Sequence, residues 1–103
     1  MPRGLSADKL KIMYYTYVLL LDEGCNNKKF YIGSTSDLKE RILKHKNNGV
    51  ETTKKFDKID LVYYEACRNK TDALKREHQL KTGFGRGYIK KRLENDISFN
   101  SRD

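Results

Sequence analysis

The chain lacks the features that define several large classes of protein. No apolar run among its 103 residues approaches the roughly 18–20 needed to span a bilayer. The longest, Tyr17 to Leu21, has only the length of a buried strand. The opening Met1-Pro2-Arg3-Gly4 lacks the apolar segment of a secretory leader. Export is therefore not expected, a cytoplasmic location is, and no membrane partner is called for. Cysteine is scarce: Cys25 and Cys67 allow at most one disulfide, and a reducing compartment favours free thiols. With His45 and His78 they offer no CxxC or HxxxH spacing, so a zinc site is not expected. Cys25 reads as a loop residue and Cys67 as a strand residue. Internal repeats and low-complexity tracts are also missing.

What is present suits one small folded domain. Apolar residues make up 37% of the chain and gather in compact runs, which separates it from disordered sequences. Lys and Arg number 22 against 14 acids, a net charge of +8. Such an excess favours a polyanion as partner, nucleic acid or an anionic membrane surface, although solvated lysine faces produce the same number.

Along the chain, residues 1–13 read as an N-terminal arm, with a short helical turn from Ala7 to Ile12. Tyr14 to Leu21 is short, aromatic and branched, and predicts a strand. The polar stretch from Asp22 to Lys28 is a hairpin connection, and Lys29 to Gly33 is the returning strand. Centring the hairpin on Cys25 sets Leu19 opposite Tyr31 and Tyr17 opposite Gly33. Tyr17 and Tyr31 then become diagonal neighbours on one face. A slip of one residue would part them. Asp37 with Glu40 resembles a loose capping box, and Leu38, Ile42 and His45 recur at helical spacing, so residues 37–47 predict a helix. Asn47-Asn48-Gly49 ends it, with Asn or Gly available for a left-handed C-terminal position. Residues 50–58 read as a polar, basic loop. Leu61 to Ala66 is a third strand. A second helix opens at Thr71 or Asn69 and carries Ala73, Leu74, Glu77 and Leu80 on one face. Thr82-Gly83-Phe84-Gly85-Arg86-Gly87 is expected to break it, and Tyr88 to Leu93 to form a last short basic helix. Residues 94–103 read as a polar tail. The order β-β-α-β-α-α implies an α+β domain, an antiparallel sheet flanked by helices.

Two charges occupy helix positions where burial alone would favour leucine. Arg41 shares the stripe of Leu38 and His45, and Glu77 that of Ala73 and Leu80. A charge there needs a partner. Either both reach solvent at the stripe margin, or they pair with each other, or they converge beside a reacting group. In the last case Arg41 can hold a phosphate by its guanidinium fork, and Glu77 can hold Mg2+ through oxygen. Tyr17 and Tyr31 beside Gly33 have two readings as well: ordinary core packing, or a cleft where the glycine leaves room for a ligand.

Taken together, these parts resemble the GIY-YIG endonuclease superfamily, in particular its small single-domain members. The resemblance rests on Tyr15-Thr16-Tyr17, Tyr31-Ile32-Gly33-Ser34, Asp37-Leu38 through Arg41 to His45, and Ala73 through Glu77 to Lys81. The run Leu61-Val62-Tyr63-Tyr64-Glu65 and the ending Leu80-Lys81-Thr82-Gly83-Phe84-Gly85-Arg86 extend it over residues 14–93. It implies a three-stranded antiparallel sheet with helices around it and metal-dependent hydrolysis of phosphodiester bonds in DNA. By position it makes Tyr17, Tyr31, Arg41, His45 and Glu77 catalytic. Tyr17 would be the general base, Arg41 the stabiliser of phosphate charge, and Tyr31 and His45 orienting or proton-transfer groups. Glu77 would hold one divalent ion, Mg2+, with Mn2+ as its substitute. Gly33, Ser34, Lys54, Lys55, Lys81, Arg86 and Lys90 are candidates for nucleic-acid contact, with Lys91 and Arg92 nearby. Tyr15 and Thr16 stand where the first motif has glycine and isoleucine, as in some small members. Some relatives carry a lysine where this chain has Ser34, with Lys39 or Lys44 available to replace it. The alternatives are a non-catalytic nucleic-acid-binding module on the same fold and an interaction protein using exposed tyrosines. Little sequence preference is expected, with targeting by DNA shape or by a partner protein.

Overall fold

The computed structural model describes residues 13–22, 24, 28–47, 49, 50, 53, 54, 56 and 58–96. The expected arm before residue 13 with its helical turn, the loop residue Cys25, Asn48, Lys55 and the tail beyond residue 96 lie outside the described residues. The elements are β1 (Tyr14–Asp22), β2 (Lys28–Thr35), α1 (Leu38–Lys46), β3 (Lys58–Cys67), α2 (Lys70–Leu80) and α3 (Gly83–Arg92). The strands form one antiparallel sheet in the order β2-β1-β3. This is the expected α+β architecture in the expected order. No helix among the described residues is long and apolar enough to cross a membrane.

The hairpin register is the one its centre at Cys25 requires: Leu19 faces Tyr31 and Tyr17 faces Gly33. Asp22 turns the chain by accepting the Gly24 N–H at 2.7 Å, and Gly24 takes a φ of 92°, which glycine adopts without strain. β1 is the central strand, and Thr16 to Leu21 are all buried. Its alternation divides the core into two. Tyr17, Leu19 and Leu21 pack with Phe56 and Ile59 on the face covered by α1. Val18 and Ile32 pack with Leu80 of α2 and Ile89 of α3 on the other. Leu80 and Ile89 are fully buried, a contribution of about 2 kcal/mol each by ordinary apolar transfer.

A β-bulge interrupts the pairing of β1 with β3: Val18 faces Tyr63, but Leu19 faces Leu61. Val62 is the extra residue. Strict alternation would put Ile59, Leu61, Tyr63 and Glu65 on one face. The bulge instead leaves Ile59 and Leu61 under α1 and sends Tyr63 to the α2–α3 side. Tyr64, now opposite Tyr17, stands 5.9 Å from Tyr15, ring to ring, on the α1 side.

Each helix begins on a side-chain cap. Asp37 Oδ1 accepts the Glu40 N–H at 3.1 Å. Asn69, rather than Thr71, caps α2 by accepting from Thr71 and Asp72. α1 ends at Asn47 with φ −92°, so Asn47 is not left-handed, and the Gly49 N–H closes on the Lys44 carbonyl. The expectation that Thr82 to Gly87 break the helix needs correction. Only Lys81 and Thr82 interrupt it, and α3 begins at Gly83. Each glycine costs a helix about 1 kcal/mol relative to alanine, but here Thr82 supplies the cap, accepting the Gly85 N–H at 3.1 Å. At Gly85 a side chain would overlap the Gln79 carbonyl and the Leu80 backbone, so its absence lets α3 dock on the end of α2. On α2, Ala73 and Leu80 are buried, but Leu74 is 42% exposed. It flanks the expected stripe rather than belonging to it.

Candidate active site

The fold brings four of the five expected catalytic residues into one cluster. Tyr17 is wholly buried and its ring lies across Gly33, where a Cβ would stand 2.6 Å from the Tyr17 hydroxyl. Glycine is thus required at 33 for close packing rather than for conformation. Arg41 and His45, one turn apart on α1, both reach the Tyr17 oxygen, Arg41 Nε at 3.2 Å and His45 Nε2 at 2.9 Å. Tyr31 closes the group, its ring 6.5 Å from that of Tyr17 and 5.1 Å from that of His45.

The proton positions in this network follow from donor chemistry. Arg41 Nε can only donate, so the Tyr17 oxygen accepts there and keeps its own proton for His45 Nε2. His45 then carries its proton on Nδ1, 2.9 Å from Thr53 Oγ1. A neutral imidazole fits this arrangement. Burial, helped by the charge of Arg41, lowers His45 from its ordinary 6.5 to about 4. Burial also raises the Tyr17 hydroxyl above 10.0, against the opposing pull of Arg41. Arg41 is held even more firmly charged by its bond to Tyr17.

The fifth residue stands on the other side of strand β2. Gly33 faces the tyrosine cluster, whereas Ser34 turns toward α2 and donates to Glu77 Oε1 at 2.6 Å. Lys81 Nζ lies 2.8 Å from Glu77 Oε2. Burial works against ionisation of Glu77, but Lys81 and Ser34 outweigh it, and the carboxyl ends below its ordinary value. Because β2 is an edge strand, the two half-sites meet around its end at Gly33 and Ser34. The Arg41–Glu77 ion pair that helix position alone allowed does not form: Arg41 bonds Tyr17, and Glu77 bonds Ser34 and Lys81. The ammonium beside Glu77 belongs to Lys81.

The remaining expected contact residues are more scattered. Lys54 is exposed on the turn that carries Thr53, and Lys55 lies outside the described residues. Arg86 and Lys90 are exposed one turn apart on α3. One participant went unread in the sequence. Thr53, fully buried, holds His45 from a stretch whose composition says only polar loop. No local pattern marks it, since the contact joins residues on separate elements.

Residues 13–92 match the family model described as the GIY-YIG catalytic domain. The chain belongs to the GIY-YIG family, whose catalytic domain is a nuclease domain. It is 41% identical over 59 residues to a UPF0213 protein of Staphylococcus epidermidis, covering 56% of this chain and 72% of that one. A UPF0213 protein of Staphylococcus saprophyticus is 37% identical over 70 residues, 67% of this chain and 80% of its own length. One from Clostridium perfringens is 36% identical over 70 residues, 67% and 71% of the two chains. No solved structure matches the chain.

Proposed function

We propose that the protein is a divalent-metal-dependent endonuclease that hydrolyses phosphodiester bonds in DNA with little sequence preference of its own. The observation that carries this reading is the Tyr17 hydroxyl, held between a cation and a neutral imidazole at 3.2 and 2.9 Å, with an ionised carboxylate around the strand end. A core tyrosine needs one hydrogen-bond partner, and this one has a donor and an acceptor on opposite roles.

In the proposed reaction, an attacking water gives its proton to the Tyr17 oxygen as Tyr17 passes its own to His45 Nε2. His45 is a weak acceptor at rest, and negative charge gathering on the phosphate strengthens it. Arg41 meets that charge with its guanidinium, and Tyr31 orients the phosphate or the water. Glu77 suits a hard cation: it is ionised, and Ser34 and Lys81 engage only part of its lone-pair capacity. Among the described residues no three of His, Cys, Asp and Glu gather into a cluster, so water and phosphate oxygens would complete the shell, as is usual for Mg2+. Glu77 would hold Mg2+, or Mn2+ in its place, which would supply Lewis-acid neutralisation of the leaving oxygen. Gly33 and Ser34 border the reacting phosphate, and Lys54, Lys55, Lys81, Arg86 and Lys90 hold the neighbouring ones.

The test is nicking of supercoiled plasmid with and without Mg2+. We expect metal-dependent cleavage in the wild type and none with Glu77→Ala. Salt-sensitive binding with no cleavage under any metal would overturn the enzyme reading in favour of a binding module.

A further inference from the structure

We infer that the groove between α1 and the Tyr15–Tyr64 pair is a nucleobase subsite, taking an unstacked base next to the phosphate held at Arg41. The inference rests on the nuclease reading and adds to it a defined contact with the base. The groove has a volume of about 770 Å³ and lies on the same sheet face as Tyr17. Tyr15 precedes Tyr17 by two residues on β1, Tyr64 faces Tyr17 across the β1–β3 ladder, and Ile42 follows Arg41 on α1. The groove therefore lies beside the candidate site, its lining next in sequence or in register to Tyr17 and Arg41.

Its lining suits a flat aromatic ligand on a charged backbone. Tyr64 is 52% exposed and Leu43 51%, although both sit beside a core that buries its neighbours. Tyr15 meets Tyr64 edge to face at 5.9 Å, an arrangement that steadies the outer ring while half of it stays exposed. Lys39 and Lys46 stand on the rim. The one acid in the lining among the described residues, Asp37, is occupied in capping α1. An apolar floor, an open aromatic ring and cationic edges form the usual platform for a base and its phosphates. A second copy of this chain fits less well, because the rim lysines would have to approach another strongly basic surface.

The chain contains no tryptophan, so Tyr64→Trp introduces a unique fluorescent reporter. The probe is a fluorescein-labelled single-stranded oligodeoxynucleotide of mixed sequence, titrated with the full chain in EDTA to prevent cleavage. We expect Tyr64→Ala to weaken binding by about 10-fold, Tyr64→Phe to bind within about two-fold of wild type, and the emission of Tyr64→Trp to be quenched in step with binding. The quenching reads the contact even where Tyr64→Ala lowers stability. Binding without quenching, or wild-type affinity in folded Tyr64→Ala, overturns the subsite and leaves the nuclease reading standing. Quenching that follows protein concentration without oligonucleotide, together with a sedimenting dimer, also overturns it, because a second copy then fills the groove. A wild-type chain that binds no oligonucleotide and cleaves no DNA brings down both readings.

Discussion

Two regions of this small domain are built from the same kinds of residue and have opposite character. On the α1 side are Tyr17, Tyr31 and Arg41, with Glu77 around the strand end. On the α2–α3 side are Tyr63, Tyr88, Arg76 and Glu65. In the second group the charges close on each other. Arg76 grips Glu65 with a forked pair of bonds at 2.8 Å, and its guanidinium stacks over the Tyr88 ring at 4.9 Å. Tyr63 donates to the same carboxylate at 2.8 Å. Arg76 lowers Glu65 below its ordinary value, and burial among these partners raises the Tyr63 hydroxyl. In the first group Arg41 and Glu77 are kept apart by the strand end, and no carboxylate pairs with Arg41 among the described residues. Arginine paired with glutamate fastens α2 to β3. The same residues held apart keep their charge for something else.

That contrast is open to direct attack. The largest effect expected is on catalysis: Arg41→Ala should reduce plasmid nicking by about 10²–10³-fold, while Arg76→Ala in folded protein stays within about two-fold of wild type. Equal losses in the two variants, measured under single-turnover conditions, would dissolve the distinction. Next in size is a pH effect confined to the first cluster. His45 takes its proton in the unfolded chain near 6.5 and in the folded one only near about 4. The unfolded state therefore binds more protons in that window, and stability falls as pH drops through it, by at most about 3 kcal/mol. Urea denaturation across this range should show the slope in wild type and a shallower one in His45→Gln. The smallest effect concerns the closed pair. A double-mutant cycle of Glu65→Gln and Arg76→Ala should give a coupling of about 1 kcal/mol by thermal melts, the usual size for a half-exposed pair. A coupling near zero would remove the fastening role.

Much of the open cluster was legible in the sequence because its parts are periodic. Strand alternation and the turn centre set Tyr17 beside Tyr31 and opposite Gly33. Helix spacing put Arg41 and His45 on one stripe. The closed cluster was not legible, because the bulge at Val62 reverses the facing of Tyr63 and Glu65, and a single inserted residue leaves no mark in composition. The start of α3 was misread for a related reason. Glycine at 83, 85 and 87 argues against a helix until the contact of Gly85 with the end of α2 is known.

By itself, the sequence determined the element order and the helix start near Asp37, and it offered a hairpin register that holds only if the turn centres on Cys25. Those depend on neighbours a few positions away, or on a turn whose centre can be counted. Only the tertiary structure decided which partner each charge took. Arg41 went to Tyr17, Glu77 to Ser34 and Lys81, and His45 to Thr53. Partner choice among buried polar groups is settled by which atoms the packed elements bring within about 3 Å, and that distance is a property of the assembled sheet and helices rather than of any segment.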